Sequence, residues 1–193
     1  MPLVNVYFSL GSNLGDRERN ISEALRRMDE AFGTHYSALS KIIETEPFGF
    51  SGGKFLNAAV LYRIYASNSE TTPVILSEAK DLEAKDLQIL RSQRSLRMTN
   101  EGPLEVLRAV KAIEYGMGRT DFPEHDAEGN RIYHSRIIDI DILFYGKEIV
   151  DTPELTIPHK GIAERPFVMI PLREIAKATL KRSFPEYFKK STK

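Results

Sequence analysis

Cysteine is missing from all 193 residues. That excludes a disulfide scaffold, a thiolate metal site and a cysteine nucleophile. It also suits a reducing cytoplasm, the expected location. Net charge is missing as well, since 27 lysines and arginines balance 27 aspartates and glutamates. No global field therefore draws the chain to nucleic acid or to an acidic membrane. No stretch approaches the ~18 apolar residues of a membrane span. The start, Met1 to Leu14, lacks a basic cluster and a long apolar run, so no signal peptide is expected there. What is present is ordinary: 41% hydrophobic and 28% charged residues, the balance of a soluble globular protein. A chain of this length buries a core without covalent staples and fits one domain, or one domain with an insertion. Small molecules are the expected partners and a monomer the expected form.

Residues 3–10 (Leu-Val-Asn-Val-Tyr-Phe-Ser-Leu) are short, β-branched and aromatic, and read as a strand ending at Gly11. Gly11 to Asp16 reads as a turn. From Asp16, a good N-cap, Ile21, Leu25, Met28 and Phe32 recur at helical spacing, and Gly33 sits where a terminating glycine belongs. Residues 35–45 and 54–65 are the next two strands. A second helix is expected from Pro103 to Met117, striped by Val106, Leu107, Val110 and Ile113. A polar loop, Asp121 to Asn130, precedes a fourth strand from Ile137 to Tyr145. A short helix near Phe167 to Ile175 follows, then a basic tail from Lys177 that frays at its end. The order β-α-β-β-α-β predicts a ferredoxin-like α+β sandwich, an antiparallel sheet with both helices on one face. One domain over residues 1–176 and a tail over 177–193 is the expected division.

Residues 67–100 interrupt this plan. They hold a tandem repeat, Glu78-Ala79-Lys80-Asp81-Leu82 and Glu83-Ala84-Lys85-Asp86-Leu87, built of good helix formers. A period of five advances about 140° beyond a full helical turn, so Leu82 and Leu87 share no tight face. The segment is expected to be a surface insertion, inert or serving as an arm for a partner.

Asp139-Ile140-Asp141-Ile142-Leu143-Phe144 is the most informative stretch. On a strand, residues two apart point the same way, so Asp139 and Asp141 project side by side, roughly 7 Å apart along the backbone. Ile140, Ile142 and Phe144 then fill the opposite face. Two like charges so placed repel unless something positive lies between them, and magnesium suits that place. Alone, the pair is equally a solvated acidic face, or two ion pairs with Arg136 and Arg165. Its neighbours in sequence favour the metal: Arg131, His134 and Arg136 precede it, and His159 and Arg165 follow. Such groups suit a metal–polyphosphate site.

Other motifs are weaker singly. Gly11 to Asp16 joins a strand to a helix and could cradle phosphate, although it lacks the lysine of a P-loop and a capped turn explains it equally. Asn57, within Phe55-Leu56-Asn57-Ala58-Ala59-Val60, offers a donor and an acceptor that match the edge of a heterocycle. Phe55 could stack on such a ring, or simply pack. Glu114, Gly118 and Arg119 end the second helix, where Arg119 could also just complement the dipole. Thr156-Ile157-Pro158-His159 and Arg165-Pro166-Phe167 gather three groups able to touch phosphate or base.

Taken together and in order, these segments resemble the hydroxymethyldihydropterin pyrophosphokinase family over about 150 positions, everything but the insertion and the tail. Arg136-Ile137-Ile138-Asp139-Ile140-Asp141-Ile142-Leu143 with the downstream Pro158-His159 is the most specific element. The resemblance implies a ferredoxin-like fold, ATP as co-substrate, two Mg2+ ions and a 7,8-dihydropterin, joined in folate biosynthesis. It implies that Asp139 and Asp141 hold both ions. Thr45, Phe48 and Asn57 would read the pterin, with Phe55 and Phe167 sandwiching its ring. Arg119, Arg136, His159 and Arg165 would contact phosphates, Ile142 and Thr156 would line the nucleotide pocket, and Glu114 joins the ATP-binding set. Arg119 and Arg136 complete the catalytic set with the two aspartates. Three positions depart from the family pattern: Asp121, Tyr133 and Glu154 stand where it often has Arg, Trp and a basic residue. Arg131 or Lys160 are the candidates to replace the missing cations. A metal-dependent phosphohydrolase and a non-catalytic ligand sensor are the rival readings.

Overall fold

A computed structural model describes residues 3–49, 52–65, 102–119, 124–125, 131–132 and 134–189. The predicted insertion at 67–100, the end of the basic tail and most of the 121–130 loop lie outside these residues. The chain is a mixed α/β protein built on an antiparallel sheet. Strand β1 runs from Leu3 to Ser12 and continues past Gly11, which lies within the strand instead of opening a turn. It pairs on one side with β4 (Phe55–Tyr65) and on the other with β7 (Asp139–Tyr145), both antiparallel. The outer edge beside β4 is made of two pieces, β2 (Ala38–Leu39) and β3 (Ile43–Thr45). The single strand expected over 35–45 is broken because the register slips between Leu39↔Val60 and Ile43↔Asn57. Ser40 sits in the slip, and its hydroxyl accepts the Ala59 N–H at 2.9 Å. A side chain there replaces a lost ladder bond, as a bulge requires.

Helix α1 (Arg17–Phe32) begins as expected. The Asp16 carboxylate accepts from the Arg19 N–H, and Gly33 closes the helix in the left-handed region at φ 61°. Its stripe Ile21, Ala24, Leu25, Met28 and Phe32 is buried. Helix α2 (Pro103–Gly116) buries Val106, Val110 and Ile113. Both pack on the sheet face that carries Val6, Phe8 and Leu10 of β1 and Ile140 and Ile142 of β7.

The other face is covered too, which the sequence did not suggest. Helix α3 (Pro166–Ile175) lays Val168, Met169 and Leu172 on Tyr7, Ala59 and Leu61. Residues 178–188 form two further short helices, α4 (Ala178–Ser183) and α5 (Pro185–Phe188). Leu180 and Phe184 are buried in this second cluster. The segment after Lys177 is therefore part of the packed structure as far as it is described. A bulge in β7 adapts the strand to this layer. Tyr7 pairs with Phe144 but Phe8 pairs with Ile142, which leaves Leu143 extra. Leu143 and Phe144 both join the second cluster, and only Tyr145 returns to the first. Phe144 thus lies on the face opposite to the one its spacing predicted. Two small hairpins complete the described elements. One pairs β5 (Glu124–His125) with β6 (Arg131–Ile132), the other β8 (Val150–Asp151) with β9 (Thr156–Ile157).

Candidate active site

Three strands lay down the site in one row. Asp139 of β7 pairs with Gly11 of β1, and Gly11 pairs with Asn57 of β4. Asp141 pairs with Ser9 one step along the same face. Gly11 has no side chain, and the space between the carboxylate and the amide depends on that. A Cβ there would stand 3.3 Å from Asn57 Oδ1, 3.6 Å from Phe55 Cδ1 and 4.0 Å from Asp139 Cβ. The row floors an open cleft.

Thr45, Phe48, Phe55, Asn57, Arg136, Asp139, Asp141, Arg165 and Phe167, all expected from the sequence, line this cleft. Ser9 and Glu46 line it as well and were not foreseen, and Gly11, expected in a turn able to cradle phosphate, lies on its floor instead. Asn57 is 3% exposed, and its amide N–H donates to Thr45 Oγ1 at 2.8 Å. That bond fixes the amide and leaves its oxygen over Gly11. Phe48 and Phe167 approach with ring centroids 6.0 Å apart, tilted by 53°. The Arg165 guanidinium lies 6.0 Å from the Phe167 ring centroid. Gly161 permits that placement, because a Cβ there would meet Arg165 Nε at 2.7 Å.

The acidic end is laced by cations. Arg119 donates to Asp139 Oδ1 at 2.6 Å and to Glu114 Oε1 at 2.6 Å. Arg136 donates to Asp139 Oδ2 at 2.9 Å. Glu114 is 2% exposed and also accepts the Ile140 N–H at 2.7 Å and Lys111 Nζ at 2.8 Å. It therefore ties α2, Arg119 and β7 together from beneath and lies off the cleft lining. Lys111 was missed. It stands three residues before Glu114, one helical turn away, and that spacing could have found it. His159 Nε2 lies 4.0 Å from Asp141 Oδ1. The Gly161 N–H donates to His159 Nδ1 at 3.1 Å, so a neutral ring carries its proton on Nε2, toward Asp141. Two more expected residues are placed apart. The Ile142 side chain is in the core beneath α1 and α2. Thr156 sits on β9, paired with Asp151, away from the cleft lining.

The charges of the two aspartates are set differently. Burial pushes Asp139 up, but Arg136 and Arg119 outweigh it and hold its carboxyl below the usual range. Burial and the neighbouring Asp139 charge push Asp141 up, only partly relieved by His159, Lys111 and Arg165. Burial likewise raises Glu114, with Lys111 and Arg119 opposing. Asp141 is thus a carboxylate short of positive charge, facing a cleft. Among the described residues no group of three or more acidic or histidine side chains forms a self-sufficient metal cage. Two carboxylates suit a cation that brings other oxygens with it, as magnesium does when it travels with phosphates.

The cleft defines a class: an α/β protein whose sheet carries an acidic, arginine-ringed end fit for a metal–polyphosphate, and an amide-and-aromatic end fit for a flat heterocycle. The family follows from comparison. The model of the 7,8-dihydro-6-hydroxymethylpterin-pyrophosphokinase (HPPK) family matches residues 7–99 and 94–177, and the chain belongs to that family. A 2-amino-4-hydroxy-6-hydroxymethyldihydropteridine pyrophosphokinase of Porphyromonas gingivalis is 36% identical over 173 residues, 89% of this chain and 90% of its own length. The namesake in Bacillus subtilis is 29% identical over 178 residues, covering 92% of this chain and 81% of the relative. A mitochondrial folate synthesis bifunctional protein of Pisum sativum is 38% identical over 171 residues, 88% of this chain. There the chain spans only 25% of the relative. A solved HPPK-DHPS in complex with substrates shares the fold at TM-score 0.54 and 14% identity, over 97% of this chain and 43% of that one. The Plasmodium falciparum HPPK-DHPS gives 0.52 and 12%, over 96% and 43%.

Proposed function

We infer that the chain transfers pyrophosphate from Mg-ATP to the 6-hydroxymethyl group of 7,8-dihydropterin, releasing AMP, in folate biosynthesis. The observation that carries this reading is the row Asp139–Gly11–Asn57, which puts a phosphate-side carboxylate and a heterocycle-reading amide on one cleft floor.

The division of labour follows from that floor. Asn57, fixed by Thr45, reads the donor–acceptor edge of the pterin, while Phe55, Phe167 and Phe48 cover its faces. Asp139 and Asp141 would hold magnesium, as two ions, which would supply charge neutralisation on the transferring group. Arg136 and Arg119 lie beside Asp139, placed to turn from carboxylate to phosphate when the nucleotide arrives. His159 Nε2–H and Arg165 close the phosphate contacts. Ile142 through its backbone, Thr156 and Glu114 belong to the nucleotide side, Glu114 by holding Arg119. The pterin hydroxyl oxygen attacks the β-phosphorus in line, the bond to the α-phosphate oxygen breaks, and AMP leaves with that oxygen. Positioning and electrostatics supply most of the rate. We assign no general base.

The strand order β2/β3–β4–β1–β7, with α1 and α2 on one face, supports a ferredoxin-like core. The catalytic unit is taken as 1–176, with the segment from Lys177 added to its back. The enzyme acts as a monomer in the cytoplasm. No helix of the described residues is long and apolar enough to cross a membrane.

Mass spectrometry of products from the chain, Mg-ATP and hydroxymethyldihydropterin tests the reaction. AMP and the pterin diphosphate should appear together and only when all three are present. Phosphate release from ATP alone would instead identify a phosphohydrolase.

A further inference from the structure

Asn13 follows β1 directly and is 7% exposed. A buried amide needs its acceptor and donors matched, and here they are matched by two separate segments of the chain, at Gly53 and at Ser135–Arg136. Its oxygen accepts the Arg136 N–H at 2.7 Å. Its NH2 donates to Gly53 O at 3.1 Å and to Ser135 Oγ at 3.0 Å. Its own backbone N–H donates to Arg136 O at 3.1 Å. Turning the amide over would set NH2 against the Arg136 N–H and oxygen against Gly53 O, so the partners allow one orientation only. Gly53 lies two residues before Phe55 and four before Asn57, on the heterocycle side. Arg136 donates to Asp139 on the acidic side.

We propose that Asn13 is a positioning residue that clamps the 52–54 segment to the 135–136 segment, fixing the span between the pterin-reading and phosphate-binding halves of the cleft. It touches no substrate and acts through Arg136 and the approach to Phe55. This rests on the pyrophosphotransfer reading above. Asparagine is required here because aspartate would keep the Arg136 bond but turn a bare oxygen toward Gly53 O, and alanine would lose both.

A double-mutant cycle reads this directly. Asn13→Ala should lower kcat roughly 100-fold, the effect of a small misplacement of reacting groups, with the KM for ATP changed less than about threefold. Combined with Arg136→Ala, it should cost less than the product of the two single losses, because part of its effect passes through the placement of that side chain. Multiplying losses in the double variant would overturn the proposal. Should Asn13→Ala fail to fold, the isosteric Asn13→Asp serves. Direct titration should show the pterin bound about tenfold more weakly and ATP unchanged; equal weakening of both ligands, or of neither, would overturn it. A folded wild-type chain that makes no AMP sinks the reaction and this inference with it. An active wild type with multiplying losses sinks only the role of Asn13.

Discussion

The two aspartates of β7 have the same chemistry and opposite circumstances, which makes them separable by experiment. Asp139 is held by Arg119 and Arg136. Neutralising it as Asp139→Asn takes the carboxylate from the largely buried Arg136 and leaves Arg119 to Glu114, and should destabilise the protein by about 2–3 kcal/mol. Asp141 has Asp139 as its near neighbour, and His159 Nε2 lies 4.0 Å away. Asp141→Asn removes a repulsion, so its melting temperature without metal should equal or exceed the wild type's. Both variants should lose several orders of magnitude in turnover, since charge neutralisation at the transferring group is the largest contribution of such sites. Thermal melts beside turnover assays decide the point. A lower melting temperature for Asp141→Asn, or near-normal turnover in either variant, would contradict this reading. Gly11 gives a third test at this scale. Gly11→Ala places a methyl 3.3 Å from Asn57 Oδ1 in a pocket that cannot retreat, because Thr45 pins the amide. The KM for the pterin should rise at least tenfold, about 1.4 kcal/mol, while the ATP KM holds. An unchanged pterin KM would show that the row is not the pterin floor.

Between elements, the tie of α1 to the sheet runs through Tyr62, whose hydroxyl donates to Asp29 Oδ1 at 2.7 Å, with Leu25 O 3.3 Å away. Burial, then the hydrogen bond and charge of Asp29, push the phenol above its ordinary value. The sign follows from linkage. The folded pKa is raised, so the stabilisation is complete below the unfolded value of about 10 and is lost as pH climbs above it. Denaturation midpoints should therefore fall from about pH 10 upward, and Tyr62→Phe should flatten that fall while lowering stability at neutral pH. An alkaline limb unchanged in Tyr62→Phe would assign the effect elsewhere. Element types were legible in the sequence because they depend on local periodicity. The stripe of α1, its Asp16 cap and Gly33 stop, and the paired aspartates could all be read within a few residues. What failed depends on pairing across strands. Alternation gives a face but not a register, so the Asp139–Gly11–Asn57 row, the slip at Ser40 and the extra Leu143 that turns Phe144 over had no local signal. Lys111 is a partial case: its spacing to Glu114 is local to one helix, but its meaning comes from Glu114 and Arg119 meeting β7. Asn13 looked like turn chemistry, because partners 40 and 123 positions away cannot be seen from a tripeptide.

For the molecule as a whole, the sheet has two apolar faces and each needs a cover. Helices α1 and α2 satisfy one. The other belongs to α3 and to the short helices after Lys177, which the charged sequence of that segment disguised. Phe144 stands at the centre of an aromatic group, with ring centroids 5.0 Å from Phe184, 5.5 Å from Tyr187 and 6.4 Å from Tyr7. Ending the chain at Lys177 removes Leu180 and Phe184 and uncovers Phe144. At about 1.5–3 kcal/mol for each large apolar side chain, that forfeits about 5 kcal/mol or more, comparable with the whole stability of a typical domain. The truncated chain should melt about 10–20 °C lower and bind a hydrophobic dye that the full chain does not. The loss should reach the chemistry as well, because α3 shares this back layer and carries Phe167, with Arg165 at its N-cap, over the cleft. At a temperature where the truncated chain is still folded, the pterin KM should rise before kcat falls, as α3 loosens against β4. A melting temperature within about 2 °C of the full chain would mean that α3 alone seals this face and that the segment after Lys177 is dispensable.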